Sequence, residues 1–196
     1  MHSLFLARPA FSVMSMALIL RAATAPVSPL RDTDGTLHQP SEWNGPEVAV
    51  LFFVTTDCPV ANSYVPEMNR LHARFAPRGV RFLAVQADVT IPDSDAARYA
   101  RDYRYSFPLL LDPRQELVNF TGASITPQVA VLAPGGKLVY LGRIDNRVAD
   151  FGKQRYQATV HDLADALEAV LAGKPVAHAT THSIGCAIIR VHTASR

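Results

Sequence analysis

Residues 47–59 read Glu47-Val48-Ala49-Val50-Leu51-Phe52-Phe53-Val54-Thr55-Thr56-Asp57-Cys58-Pro59, and this stretch decides the fold. Its apolar run is continuous rather than alternating, the pattern of a strand buried on both faces near the centre of a parallel sheet, here over 47–56. Cys58 follows the run, and Pro59 opens a helix-like segment. A cysteine at such a turn meets the unpaired N–H groups and the positive end of the helix macrodipole, and both favour thiolate over thiol. The competing reading of Cys58 is a small apolar side chain closing a core strand.

Downstream of the cysteine, Val65, Met68, Leu71, His72 and Phe75 recur at helical spacing and predict a helix over 60–76. Gly79 ends it, and residues 80–89 read as the next strand, completing a right-handed parallel crossover. Upstream, residues 30–45 read as a hairpin turning at Asp34-Gly35, followed by a loop around Trp43. Further on come a helix over 92–103, a strand at 108–111, a brief helix around 114–120 and a strand at 127–133. Gly135-Gly136 turns that strand into an antiparallel partner at 137–144. A last helix over 158–172 carries Val160, Leu163, Ala164, Leu167, Val170 and Leu171 on one face, with Gly173 at its C-cap. The fold class expected is α/β, a central mixed sheet flanked by helices over 28–173, with a C-terminal tail at 174–196. Cys58 then sits at the carboxyl end of the first parallel strand, where such sheets place their chemistry.

A chain of 196 residues suits one domain with tails, and its net charge of +2 without a basic run gives no case for nucleic-acid binding. No glycine-rich phosphate loop is present, so no organic cofactor is expected. In residues 1–25, Arg8 precedes an apolar run from Phe11 to Leu20, and Ala23-Thr24-Ala25 follows. That is the pattern of a signal peptide, so the chain reads as exported, periplasmic or secreted. The alternatives are an uncleaved anchor, touching a membrane only through this segment, and a cytoplasmic protein. In an oxidising compartment the two cysteines allow one pairing, Cys58–Cys186.

Phe52-Phe53-Val54-Thr55-Thr56-Asp57-Cys58-Pro59, Thr126-Pro127 before a strand, and Gly135-Gly136 together resemble the thioredoxin-like superfamily. The likeness is to its redoxin branch, which holds peroxiredoxins and exported thiol–disulfide proteins. The resemblance implies that Pro127 is a cis-proline facing the active sulfur and that Thr126 supplies backbone groups to a substrate. Thioredoxins carry a second cysteine three residues after the first, where this chain has Ala61. Thr55 matches the peroxiredoxin threonine that polarises a bound peroxide, Leu51 stands where those proteins carry proline, and Arg143 and Arg104 are the candidate arginines. Asp57-Cys58-Pro59-Val60-Ala61-Asn62-Ser63-Tyr64-Val65-Pro66-Glu67, Gly142-Arg143-Ile144-Asp145 and Gly185-Cys186 resemble a group of bacterial redoxin-domain proteins.

The candidate site therefore comprises Cys58 as nucleophile, Cys186 as resolving thiol and Thr55, with Pro59, Thr126, Pro127 and Arg143 around the substrate. The partners expected are a peroxide or a thiol or disulfide protein, and an external thiol reductant. Three readings of Cys186 stand: a redox partner, an unlinked thiol, or a permanent staple worth about 4–5 kcal/mol by chain entropy. Cys58, His178, His182 and Cys186 could instead hold copper or zinc, since imidazole and thiolate suit both. A third possibility is an interaction domain that kept the fold and lost the reaction. Asp57 reads as a helix N-cap, Asn62 and Ser63 as loop-bonding or solvated polar residues, and Glu67 as a proton relay or a surface charge. Arg143 and Asp145 alternate outward from a strand, with Arg147 beyond, as an exposed ion pair or an anion-binding edge.

Overall fold

The continuous apolar run is a strand buried on both sides: each residue of Val48–Val54 exposes at most 7% of its surface. The computed structural model describes residues 28–191, so the expected signal segment at 1–25 and His192, a further metal-ligand candidate beyond Cys186 in the sequence, lie outside the described residues. A hairpin of β1 (Leu30–Arg31) and β2 (Leu37–His38) leads into a short helix, α1 (Ser41–Asn44). Then follow β3 (Val48–Val54), α2 (Pro59–Phe75), β4 (Val80–Gln86), α3 (Asp93–Asp102), β5 (Leu109–Leu111) and α4 (Glu116–Thr121). The second half holds β6 (Ile125–Thr126), β7 (Gln128–Ala133), β8 (Lys137–Gly142), a small hairpin of β9 (Val148–Asp150) and β10 (Lys153–Gln154), α5 (Asp162–Leu171) and β11 (Cys186–Ala187).

The main sheet has the order β5-β4-β3-β7-β8, with β3, β4 and β5 parallel and β7 and β8 antiparallel to their neighbours. Strand period explains how one strand serves two cores. Val48, Val50, Phe52 and Val54 face Met68 and Phe75 of α2 and Leu163 and Leu167 of α5. Ala49, Leu51 and Phe53 face Trp43, Leu117 and Leu132 on the other side. Phe52 also packs at 5.6 Å against Phe107 and 6.1 Å against Phe82. Truncating so buried a phenylalanine costs about 3–5 kcal/mol.

Several boundaries differ from the sequence reading for identifiable reasons. The strands expected at 47–56, 80–89, 127–133 and 137–144 run over 48–54, 80–86, 128–133 and 137–142. Pro127 has no N–H to give a sheet ladder, so the strand begins one residue later. Trp43 lies in α1 rather than in a loop and is 1% exposed. The last helix starts at Asp162 rather than at 158, because the Asn146 Oδ1 accepts the N–H groups of Thr159 and Val160 at 2.8 and 3.1 Å. Residues 174–191 are not a free tail. They return along the sheet through a bridge between Leu141 and Thr180 and through the pairing of β11 with β6.

The N-terminal hairpin is fastened by a buried imidazole. His38, 7% exposed, places Nε2 at 2.9 Å from Asp32 Oδ2 and Nδ1 at 3.0 Å from Glu42 Oε2. Burial opposes charge on the ring, but its bonds to Glu42 and Asp32 outweigh that, and its pKa is raised above the ordinary 6.5. Burial likewise opposes charge on Asp32, yet bonds from His38 and from the Thr36 and Asp34 amides hold its pKa below 3.8. The His38 contribution is therefore fully present below the unfolded pKa of about 6.5 and is lost as pH rises through the folded value. The Asp32 contribution is present above 3.8 and is lost as pH falls through its folded value. Amide exchange of residues 30–38 should accelerate between pH 6 and 9 beyond its intrinsic base catalysis. The same excess should be missing from His38→Gln, and an unchanged excess there would discount the triad.

Candidate functional site

Cys58 is held by the backbone around it. Its N–H donates to the Thr55 carbonyl at 3.3 Å, and its own carbonyl accepts from Asn62 N at 3.0 Å as the first bond of α2. Pro59 fills the first helical position, where a missing N–H costs nothing. Asn62 Nδ2 donates to the Thr56 carbonyl at 3.1 Å and closes the turn, so Asn62 is a loop-bonding residue as one reading had it. The Ser63 hydroxyl turns back to the Val60 carbonyl within its own helix. Asp57 does not cap α2; its Oδ1 accepts from Thr55 Oγ1 at 3.0 Å. Thr55 is thus placed beside Cys58 with its hydroxyl proton committed to that carboxylate.

The Cys58 side chain is fully buried, and its Sγ donates to the Thr126 carbonyl at 3.0 Å. The Thr126–Pro127 bond is cis, as the resemblance implied. Thr126 carries a second contact on its other side. In β11 Cys186 pairs antiparallel with Thr126, and Thr126 Oγ1 reaches the Cys186 carbonyl at 3.4 Å. A Cβ on Gly185 would lie 2.0 Å from the Thr126 oxygen, so only glycine lets the strand come this close.

Both cysteines are free thiols, Cys58 buried and Cys186 partly exposed. They meet at Thr126, which pairs with Cys186 and whose carbonyl accepts the Cys58 thiol. The Cys186 pKa is pushed up to about 12, first by burial, then by the neighbouring Cys58 sulfur and the Asp57 charge. Two residues 128 apart in sequence thus share one site.

Arg143 is engaged by α5: its Nε lies 2.7 Å from Asp162 Oδ2. It lines a narrow crevice behind Pro127 with Tyr64, Asp145, His182 and Ile184. Asp145 does not point outward with it. Asp145 is 4% exposed because its Oδ1 accepts from Tyr64 Oη at 2.7 Å and from Arg147 N at 2.8 Å. Arg147 stacks 4.3 Å from the Tyr64 ring and donates to the Ser63 carbonyl. Tyr64, which sequence reasoning left without a role, is therefore the joint between α2 and the loop after β8. Glu67 pairs with Arg70. Arg104 takes a left-handed backbone after α3, where its carbonyl accepts from Asn69 in a groove beside Asp32 and Ser106. His178 and His182 lie exposed along the returning segment. Among the described residues no group of three or more His, Cys, Asp or Glu is set to hold a metal ion. Among them also, no helix is long and apolar enough to cross a membrane.

A mixed five-stranded sheet flanked by helices, with a cysteine at the N-terminus of its long helix and a cis-proline immediately before β7, the sheet neighbour of β3, defines a thioredoxin-like fold. The family is narrower: residues 22–141 match the AhpC/TSA family, and the chain belongs to it. It is similar to the thiol-disulfide oxidoreductase ResA of Geobacillus thermodenitrificans, with 28% identity over 59% of this chain and 65% of that protein. The chain thus spans slightly less than two thirds of that curated relative. The structure of a hypothetical protein from Sinorhizobium meliloti superposes with a TM-score of 0.74 at 26% identity, covering 87% of this chain and 94% of the other. A putative thiol:disulfide interchange protein DsbE from Chlorobium tepidum shares the fold at a TM-score of 0.53 and 22% identity, over 61% of this chain and 82% of the other.

Two outcomes are expected from this geometry. In the reduced protein, the alkylation rate of Cys186 should keep rising with pH well beyond 9, and Cys58→Ser should move that rise to lower pH by removing a charge. An unmoved profile would mean that the two sulfurs do not interact. Gly185→Ala should lift β11 from Thr126 at a cost of about 1–3 kcal/mol and weaken the Cys58–Cys186 bond by about tenfold or more in equilibrium constant. Titration of the wild-type and Gly185→Ala chains in thiol–disulfide buffers, read by mass spectrometry, checks this.

Proposed function

We propose that the chain is a thiol–disulfide oxidoreductase in which Cys58 is the nucleophile and Cys186 the resolving thiol. The observation that carries the reading is the pairing of Cys186 with Thr126, the residue whose carbonyl accepts the Cys58 thiol at the start of α2. Its likeness to the ResA protein supports the same chemistry.

The Cys58 thiolate attacks one sulfur of a disulfide, forms a mixed disulfide and expels the other sulfur as a thiol. Cys186 then loses its proton and attacks the Cys58 sulfur, which releases the second thiol and leaves the Cys58–Cys186 bond. The net change is one disulfide reduced and one formed, with two protons passed to the leaving thiols. With a peroxide, Cys58 becomes a sulfenic acid as the first oxygen leaves as an alcohol or water. Condensation with Cys186 then releases water. An external thiol reductant returns the pair to the dithiol. In both routes Cys186 attacks after Cys58 has lost its negative charge, which removes one of the interactions that keep Cys186 protonated. Pro59, Thr126 and Pro127 wall the sulfur, and Arg143 borders the crevice behind them. Export to an oxidising compartment belongs to this proposal, because there the pair is re-oxidised and persists.

The test is differential alkylation with mass spectrometry across a graded redox buffer, using metal-free protein. A reversible Cys58–Cys186 bond titrating between about −120 and −270 mV is the expected result. A bond that survives below about −300 mV would make it a structural staple, and two thiols free throughout would remove the resolving role.

A further inference from the structure

The residues that follow Cys186 are held more firmly than a tether for one thiol requires. Gln115 is fully buried and adopts φ 52°, a left-handed conformation unfavourable for any residue but glycine. The conformation aims its amide at the returning segment. Nε2 donates to the Ile189 carbonyl and to the Ala87 carbonyl, each at 2.9 Å, and Oε1 accepts from Val191 N at 3.0 Å. Ile188 N donates to the Ser124 carbonyl at 2.9 Å, and the Arg190 guanidinium bonds the Asn119 side chain and the Ala123 carbonyl. Apolar burial accounts for only part of this docking: Ile188 packs against the core, but Ile189 leaves 72% of its surface exposed. Polar bonds hold a strand against an edge.

We propose that residues 185–191 fill the backbone edge at Ser124–Thr126 that an extended polypeptide disulfide would need in order to reach Cys58, so that the oxidant of this site is small, a peroxide or a low-molecular-weight disulfide. The inference rests on the thiol–disulfide reading above and assigns its substrate class. A sheet edge accepts one added strand, and this edge is already paired. Cys58 is fully buried beneath the same pairing, with Gly185 against the Thr126 oxygen. A polypeptide would have to displace the whole segment, including its bonds to Gln115 and Ser124. A small oxidant needs only a local opening beside the partly exposed Cys186. Gln115 and Arg190 act here as specificity residues, at a distance from the reacting sulfurs.

The test follows the loss of the Cys58 thiol in the reduced full chain after rapid quenching. Three oxidants are compared: hydrogen peroxide, hydroxyethyl disulfide, and a pair of unstructured peptides joined by one disulfide. Both disulfide rates are normalised to a free cysteine peptide. The wild-type chain should react faster with hydroxyethyl disulfide than with the peptide disulfide by about tenfold or more, the scale on which hydrogen bonds to a charged group resist opening. Arg190→Ala and Gln115→Ala should each raise the peptide rate by about the same factor and leave the hydroxyethyl rate within about twofold. Arg190→Ala removes a surface side chain, so it keeps the comparison meaningful if Gln115→Ala unfolds. The relative rates with peroxide and hydroxyethyl disulfide identify which small oxidant the site prefers. Equal or faster reaction of the wild-type chain with the peptide disulfide would overturn the inference while leaving the thiol chemistry intact. Equal acceleration of both disulfides in the variants would overturn it too. Failure of every oxidant to consume Cys58 would overturn the thiol reading itself.

Discussion

The carbonyl oxygen of Thr126 is the point on which the site depends. It accepts the Cys58 thiol at 3.0 Å from one side, and from the other it meets Gly185, where a Cβ would lie 2.0 Å away. Three separate parts of the chain therefore converge on one peptide group: the turn after β3, the short strand β6, and β11 near the end of the described residues. The convergence is possible because β3 and β7 are neighbours in the sheet. The ladder from Ala49–Leu132 to Phe53–Gln128 brings the residues before β7 to the carboxyl end of β3. Fully buried Leu51, Phe52 and Phe53 fix that ladder from both faces, so the position of a sulfur is set by apolar packing well away from it.

That arrangement separates what the two cysteines do. Cys58 belongs to the core and cannot move without α2. Cys186 belongs to a segment held by strand pairing, polar side chains and partial apolar packing, and its pKa is pushed up to about 12 by burial and by its neighbours. At neutral pH it is a protonated thiol. A protonated thiol is a poor nucleophile, so the order of events in the proposed reaction is written into the electrostatics of the reduced state.

The parts of this structure that apolar periodicity specifies were legible in the sequence. The unbroken run at Val48–Val54 announced a strand covered twice, and the spacing of Val65, Met68, Leu71 and Phe75 announced the buried face of α2. The turn chemistry of Asp34-Gly35 and Gly135-Gly136 marked both hairpins, and the family likeness at Thr126-Pro127 implied the cis bond. Cys58 and Cys186 were singled out from their types and positions. The docking of residues 180–191 was not legible, because it runs on backbone pairing and on Gln115, Arg190 and Thr181, polar residues with no periodicity to betray a partner. Asp145 was read as outward from strand alternation. The strand ends at Gly142, after which alternation no longer governs direction, and the Tyr64 hydroxyl draws the carboxylate inward. Gly185 entered only through a family likeness, since a glycine chosen for close approach looks in sequence like any loop glycine.

A vicinal dithiol fixes its second sulfur by helix geometry, so its two thiols are presented together whatever the rest of the chain does. With Ala61 in that position, the second sulfur of the proposed pair comes by strand pairing from 128 residues away. The effective concentration of Cys186 at Cys58 is then set by how tightly β11 and the residues after it are docked. Every bond that stabilises docking in the dithiol also favours the disulfide, provided that the docked geometry suits both states. In the proposed reaction, the redox potential of the pair and the stability of a surface segment become one linked quantity. Substitutions at Gln115 or Arg190, far from any sulfur, therefore reach the chemistry through the fraction of time that the segment is in place.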